Sequence, residues 1–534
     1  MVGMLRSVNY SWVRTFWVGG LLAGTLLLIG GWFYRDLGVY FDLDEADEGL
    51  YLYRGLRWSV GDEPLNREWG PLYSVWYAEL SRWMPPERAY YVNAYIATLL
   101  PPLLLALWVY RQTGQAFWAW TVGLGYLVSW GNHNSWRVNH WLLLWVLFGW
   151  LLLPQAPHGL LHPRIWLAMA WMAWGLSFVR PETMLSALLF ALGALLLLIF
   201  PKFSSARGLS LASWGKYGVL LVLFFVVAWR THPWKNPQGR ALGAFGQHFA
   251  VRWKARTQGD FNPYTDWPHV LQEQFGELRS IGDAFRQRPD LMVWFLGENG
   301  LSLGRVMAQR ITPYPWRYAW IPWSLAWFTV VLVLMALFWF RKPAYRKVFV
   351  LWMTFFILWA LPFIVAAWLI YPRPHYFVVP LALGWGLLGY IAAYVIPLSR
   401  RAQWGGVIGG ALLFLLFVPP AYSPQPRPLY HTVRWLRQAL APLSSPLVVY
   451  EAWHPAFLYL ADRVRLHEMR TWTPGEPASW PDLFRASDVP QLMDAQTSRA
   501  TGYRYEPFTL PDGSLWWLRA DLAAPSEGDH NVWP

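Results

Sequence analysis

The chain has 534 residues, of which 55% are hydrophobic, 18% aromatic and only 14% charged. Soluble domains carry about a quarter charged residues, so this balance excludes a disordered chain and argues against an ordinary soluble enzyme. The apolar residues come in runs of about twenty, the length that crosses a bilayer core, which makes lipid the solvent for most of the protein. The absence of cysteine excludes disulfides, thiolate metal sites and cysteine nucleophiles. The formal charge of +13 sits largely in loops beside apolar runs and points to a membrane rather than to nucleic acid.

In chain order, runs of low polarity predict helices near 12–34, 92–110, 115–130, 138–153, 164–179, 183–200, 216–230, 321–340, 348–370, 377–396 and 405–420, about eleven in all. The first lies beside Arg6 and Arg14 with no small-residue cleavage site behind it, and reads as a retained helix rather than a signal peptide. Arg111, then Lys202, Arg207 and Lys216, then Arg341, Lys342, Arg346 and Lys347, then Arg400 and Arg401 occupy short loops that fall on the side of the N-terminus. Positive short loops mark the inner side. The expected arrangement is a multi-pass protein of the plasma (inner) membrane with a cytoplasmic N-terminus and with 35–91, 231–320 and the tail outside.

Residues 421–534 differ in kind, with 10 Arg and no Lys against 12 Asp plus Glu. Pro419, Pro420, Pro424, Pro426 and Pro428 mark a linker, after which HTVRWLRQAL reads as an amphipathic helix and PLVVYE as a short buried strand. The fold class that follows is an all-α polytopic membrane protein over 1–420, with a small α/β extracytoplasmic domain over 421–534.

Polar chemistry concentrates in the first outer loop. Asp42, Asp44, Glu45, Asp47 and Glu48 stand directly behind the first predicted span. Carboxylates at the membrane edge are expensive and point to function. They also suit a plainer role, with Asp44 as a helix cap and Asp47 and Glu48 in a first turn that complements the helix dipole. The loop continues through Gly49, Tyr51 and Leu52 to Gly61 and Pro64, and then to Trp69, Gly70, Pro71, Leu72 and Tyr73. This pattern resembles the first loop of the GT-C glycosyltransferases, above all the bacterial relatives of protein O-mannosyltransferases and the lipid A aminoarabinose transferase. Arg180, Pro181 and Glu182 resemble an Arg-Pro-Glu element of such proteins. Arg373, Pro374, His375, Tyr376, Phe377 and Pro380 resemble their late arginine-tyrosine-phenylalanine-proline segment. The motif covers about the first two hundred residues; 231–320 and the tail match no member.

The resemblance implies a sugar donor on a polyprenyl phosphate and a lipid, glycan or protein acceptor on the outer face. It implies Asp47 as the base, with Glu48 able to position it or to raise its pKa by like-charge repulsion. The residue chemistry agrees, because transfer from a lipid phosphate needs a base for the acceptor and cations for the leaving phosphate. On a helix Asp47, Tyr51 and Arg54 share one face. Arg137 with His140, Arg180, and Arg373 with His375 stand at outer span ends and could hold the phosphate; each could equally snorkel to lipid headgroups. Glu182 and Tyr376 join the substrate-binding set through their motifs. The basic outer loop, with Arg252, Lys254 and Arg256, could collect an anionic carrier or rest on anionic lipid.

Asp42-Leu43-Asp44 permits a divalent cation without demanding one. The 12 His show no closely spaced zinc pattern, and Gly131, Asn132 and Asn134 around His133 read as loop before His140. The alternatives are a transporter or flippase of lipid-linked glycans and a non-catalytic scaffold. The first should show paired halves with polar midplane residues, which the sequence lacks; the second leaves the acidic loop explained only as capping.

Overall fold

The structure, a computed structural model, describes residues 2–43, 47–61, 64–65, 70–133, 137–154, 157–200, 211–231, 240–342, 345–441, 447–451, 455–468, 483–485, 505–510 and 515–519. Asp44, Glu45, Trp69, Asn134, Lys202 and Arg207, all used in reading the sequence, lie outside the described residues.

Every predicted apolar segment coincides with a helix. In order these are Val2–Phe33, Pro86–Thr113, Ala116–Val128, Val138–Leu152, Pro163–Leu176, Thr183–Ile199, Leu211–Thr231, Trp320–Arg341, Arg346–Leu369, Val378–Val395 and Arg400–Phe417. Among the described residues six segments are long and apolar enough to cross a membrane: Trp17–Tyr40, Pro86–Thr113, Trp214–Thr231, Trp320–Arg341, Arg346–Leu369 and Pro374–Val395. Ala116–Val128, Val138–Leu152 and Thr183–Ile199 are shorter and also apolar. Leu28, Val219, Leu332 and Leu416 point large apolar side chains outward from such helices, which water would penalise and lipid does not. The chain is an integral membrane protein.

The contacts divide the chain into two compact units. The first comprises Met1–Arg35, Arg67–Gly70 and Tyr95–Ala421. Trp108, Trp150 and Trp352 form its centre, three fully buried indoles with ring centroids 4.9 to 5.2 Å apart. Within 231–320, helices Arg240–Thr257, Trp267–Phe275, Ile281–Gln287 and Pro289–Ile311 make a satellite core of Phe245, Phe249, Phe275, Met292 and Phe295. Phe245 and Phe249, and Met292 and Phe295, are four and three residues apart, the spacing of one helix face.

The second unit comprises Asp36–Asn66, Pro71–Ala94 and Tyr422–Pro534, so the acidic loop and the start of helix Pro86–Thr113 pack with the tail. The tail helix forms at Pro428–Ala439 and buries Leu429, Thr432, Val433, Leu436 and Ala439, an apolar stripe at helical spacing. A five-stranded sheet follows in the order β2-β1-β3-β5-β4. β1 (Leu447–Glu451) runs parallel to β2 (Val464–Glu468) and to β3 (Leu483–Arg485). β5 (Leu515–Arg519) is antiparallel to both β3 and β4 (Tyr505–Thr509). Arg437 ties the tail helix into the unit, 3.2 Å from Glu87 and 2.8 Å from Asp462.

Candidate functional site

The acidic loop forms helix Asp47–Ser59, with Asp47 and Glu48 in its first turn. Gly61 and Gly70, both members of the loop motif, have φ of +78° and +60°, which a side chain would strain. Gly61 donates from its backbone to Trp58 at 3.0 Å and ends the chain's helical path. Gly70 precedes Pro71, which starts helix Pro71–Ser81. Gly55 explains how closely the two helices cross, since a Cβ there would lie 2.0 Å from the Ser74 carbonyl oxygen.

That crossing brings Tyr73 and Tyr77, one turn apart, over Glu48. Glu48 is completely buried, and its Oε1 accepts from the Tyr73 hydroxyl, from the Tyr77 hydroxyl at 2.6 Å and from Asn93 Nδ2 at 3.2 Å. Asn93 Nδ2 also reaches the Tyr73 and Tyr77 hydroxyls at 2.6 and 2.8 Å. Trp76 Nε1 donates to Asn93 Oδ1 at 2.8 Å and so fixes which end of the amide faces the cluster. Burial first, and then the Glu48 charge, push both phenols well above their ordinary range, so they stay protonated donors. Asp47, one residue earlier, is half-buried. Tyr51 and Arg54 share its helix face; Tyr51 is buried edge-on against Tyr73 with centroids 5.2 Å apart, and Arg54 is half-buried.

Asp42 binds the backbone at the start of the tail helix. Its Oδ2 accepts from the backbone of Leu429 at 2.7 Å and its Oδ1 from that of Tyr430 at 2.8 Å. It thus caps helix Pro428–Ala439 from a remote part of the chain, and both oxygens are engaged. No group of three or more metal-ligating side chains occurs among the described residues.

In the first unit the remaining predicted residues gather where helices end. Arg180 Nη2 meets Glu182 Oε1 at 2.6 Å, and the guanidinium lies 5.4 Å from the centroid of Tyr376. His375 is buried with its ring 4.4 Å from that of Tyr376, and its carbonyl accepts from Asn139 Nδ2 at 2.7 Å. Arg137, beside Asn139 in sequence, is buried and donates to Thr98 Oγ1 at 3.2 Å. His140 is buried in helix Val138–Leu152, whereas His133 lies outside it and stacks on Tyr314 at 4.0 Å, so the two histidines do not share a helix face.

Arg373 belongs to a second polar group that sequence reasoning saw only in part. His248, 4% exposed, stacks on Tyr371 with centroids 4.7 Å apart, and Arg252 lies over the same ring at 5.0 Å. Arg252 donates to Ser302 Oγ at 2.5 Å and to Asn299 Oδ1 at 3.4 Å. Asn299 Nδ2 donates to the carbonyls of Trp368 and Ile370 at 3.0 and 3.3 Å. Burial, then the charges of Arg373 and Arg252, hold His248 down at about 3. His248 and Asn299 carried no motif; their only sequence signal was a polar neighbour at helical spacing, Arg252 and Ser302 respectively.

Fold and site together define a helical integral membrane protein with buried polar clusters among its helices. No protein-family model matches the chain, and a search of curated proteins finds no match.

Proposed function

We propose that this protein is a membrane glycosyltransferase of the GT-C type that moves a sugar from a polyprenyl-phosphate carrier to an acceptor on the outer face. The observation that carries the reading is the contrast between the two carboxylates of helix Asp47–Ser59. Glu48 is buried with its Oε1 engaged by Tyr73, Tyr77 and Asn93, while Asp47 retains exposure in the same first turn. Glu48 anchors the turn and Asp47 is the base. Asp47 takes the proton of the acceptor nucleophile as that nucleophile attacks the anomeric carbon. The carbon–oxygen bond to phosphate breaks, and the carrier phosphate leaves with the electron pair, inverting the centre. No general acid is needed for such a leaving group.

Arg180 and Arg373, with Arg137, His375 and Tyr376, supply the cations and donors for a phosphate, and Glu182 holds Arg180 in place. In this reading the eleven apolar helices span the membrane, the N-terminus is cytoplasmic, and the first outer loop and the α/β tail face outward. A transporter of lipid-linked glycans is less well supported, because the sequence shows no paired halves.

The test uses purified protein in lipid with radiolabelled polyprenyl-phosphate sugars, comparing wild type with Asp47→Asn. Carrier turnover by wild type and carrier binding without turnover by the variant support both the reaction and the base. A fully active variant removes Asp47 from the mechanism, and a wild type that binds no carrier removes the transferase reading.

A further inference from the structure

The start of helix Arg400–Phe417 meets the end of helix Pro86–Thr113 at a pocket of about 470 Å³, whose lining includes Tyr110, Gln115, Leu398, Arg400, Gln403 and Trp404. Helix Arg400–Phe417 packs alongside helix Ala116–Val128. The Ala116 backbone donates to Gln403 Oε1 at 2.8 Å, and a Cβ added at Gly406 or Gly410 would meet Phe117 or Trp120 at 2.6 or 2.7 Å. These three pairs advance together along both chains, so the helices run parallel and both start at the pocket. Their positive dipole ends add there. Gln403, 6% exposed, donates from Nε2 to the Leu398 carbonyl at 2.8 Å, and Gln115 Oε1 accepts from the Leu398 backbone at 3.2 Å, which fixes the rim.

The charge of this pocket is uncompensated. Arg400 is exposed and has no carboxylate partner among the described residues. Residues 1–35, 88–181 and 299–450, which supply every lining residue, contain no Asp or Glu. Val18, also on the lining, is the second residue of the apolar segment Trp17–Tyr40, and Tyr110 stands in the last turn of the segment Pro86–Thr113. The ends of such segments mark the level where hydrocarbon gives way to headgroups, and Tyr and Trp gather there. One turn beyond Trp404, on the same side of its helix, Ile408 is 56% exposed. A cation and two helix starts therefore open directly onto an outward-facing apolar surface.

We infer that this pocket binds one anionic phospholipid, its phosphate on Arg400 at the two helix starts and an acyl chain along Trp404 and Ile408. Arginine offers phosphate a two-pronged donor, and basic pockets between membrane helices suit such headgroups. A zwitterionic lipid brings its own cation beside Arg400 and is disfavoured. The site is separate from the residues assigned to the carrier phosphate. Helix Val378–Val395 starts just after His375 and ends just before Leu398. At about 1.5 Å per residue, its 18 residues put about 27 Å between the two places. The pocket takes lipid whether or not the protein transfers sugar.

Native mass spectrometry of the full chain in neutral detergent tests this, counting bound dioleoyl phosphatidylglycerol against dioleoyl phosphatidylcholine. Phosphatidylglycerol binds in preference, and millimolar inorganic phosphate does not displace it. Arg400→Gln removes a charge-assisted bond and weakens phosphatidylglycerol binding about tenfold. Arg401→Gln removes the same charge from an exposed neighbour that is not on the lining, and it changes binding by less than about twofold, as a solvent-screened charge does. Leu398→Trp narrows the pocket with both charges in place and weakens binding as Arg400→Gln does; it decides alone should Arg400→Gln fail to fold. Equal binding of the two lipids, or full affinity in Arg400→Gln or Leu398→Trp, overturns the site. Equal losses in Arg400→Gln and Arg401→Gln overturn it as well, leaving only diffuse attraction to a basic surface. Displacement by inorganic phosphate reduces it to a pocket for free anions and also overturns it. Sugar turnover is not read, so failure here and failure of the glycosyltransferase reading are separate results.

Discussion

Tyr77 donates its hydroxyl to Glu48 Oε1 at 2.6 Å, and neither residue has any exposed surface. Two tyrosines and an asparagine therefore converge on one carboxylate oxygen that water does not reach. Glu48→Ala strands three donors and costs about 2–4 kcal/mol of stability, since each buried donor left unpaired costs about 1–3 kcal/mol and some relax. Glu48→Gln keeps an acceptor and costs less. Thermal unfolding of the two variants in detergent gives the order, and equal melting temperatures would falsify the network's structural role.

Asp47 predicts the opposite pattern. Asp47→Asn, at a half-buried position, costs less stability than Glu48→Ala. Sugar transfer falls by about 10²–10⁴, the usual worth of a general base. A variant that loses stability and activity together, in the manner of Glu48→Ala, would make Asp47 a second anchor.

Asp42 fixes helix Pro428–Ala439 through the backbones of Leu429 and Tyr430. Asp42→Ala removes the cap and its charge at the helix start, for a loss of about 1–2 kcal/mol. Hydrogen exchange locates the effect: amides of 429–439 lose protection first. Unchanged exchange there would mean that the helix is held by its buried stripe alone.

The low pKa of His248 links stability to pH with a definite sign. Folded, the imidazole stays neutral down to about 3; unfolded, it takes up a proton near its ordinary 6.5. The unfolded state therefore binds more protons in between, so the stability His248 contributes is complete above pH 6.5 and is lost as pH falls toward 3. Arg252 and Arg373 face the ring as charges and Tyr371 as a stacked neighbour. His248→Phe keeps the stack and titrates nothing. The difference between the two stability curves is flat above pH 6.5 and sloped below it; parallel curves across pH 4–7 contradict the assignment.

Glu182 and Arg180 form a pair with side chains 15% and 7% exposed. Arg180→Gln leaves the largely buried Glu182 without its partner and costs about 3–5 kcal/mol. The double variant Arg180→Gln/Glu182→Gln recovers much of that loss. A double variant no more stable than Arg180→Gln would show that the cation over Tyr376, rather than the pair, holds the helix end.

The sequence by itself determined the helices and their apolar character, the tail helix and the strand at 447–451, because each rests on a pattern a few residues long. Periodic apolarity states which face is buried without stating against what. It also located Asp47, Glu48, Arg180, Glu182, Arg373, His375 and Tyr376, and it found Asp42 without its role. Tertiary structure alone decided that Glu48 accepts from Asn93, 45 residues away, and that Asp42 caps a helix 387 residues away. It also decided that His248, Arg252 and Tyr371 stack together. Such assignments depend on which polar groups meet when the helices pack, and a buried polar group is stable only with the partner that packing provides. No local spacing encodes that partner, so the residues could be picked out in the sequence while their relationships could not.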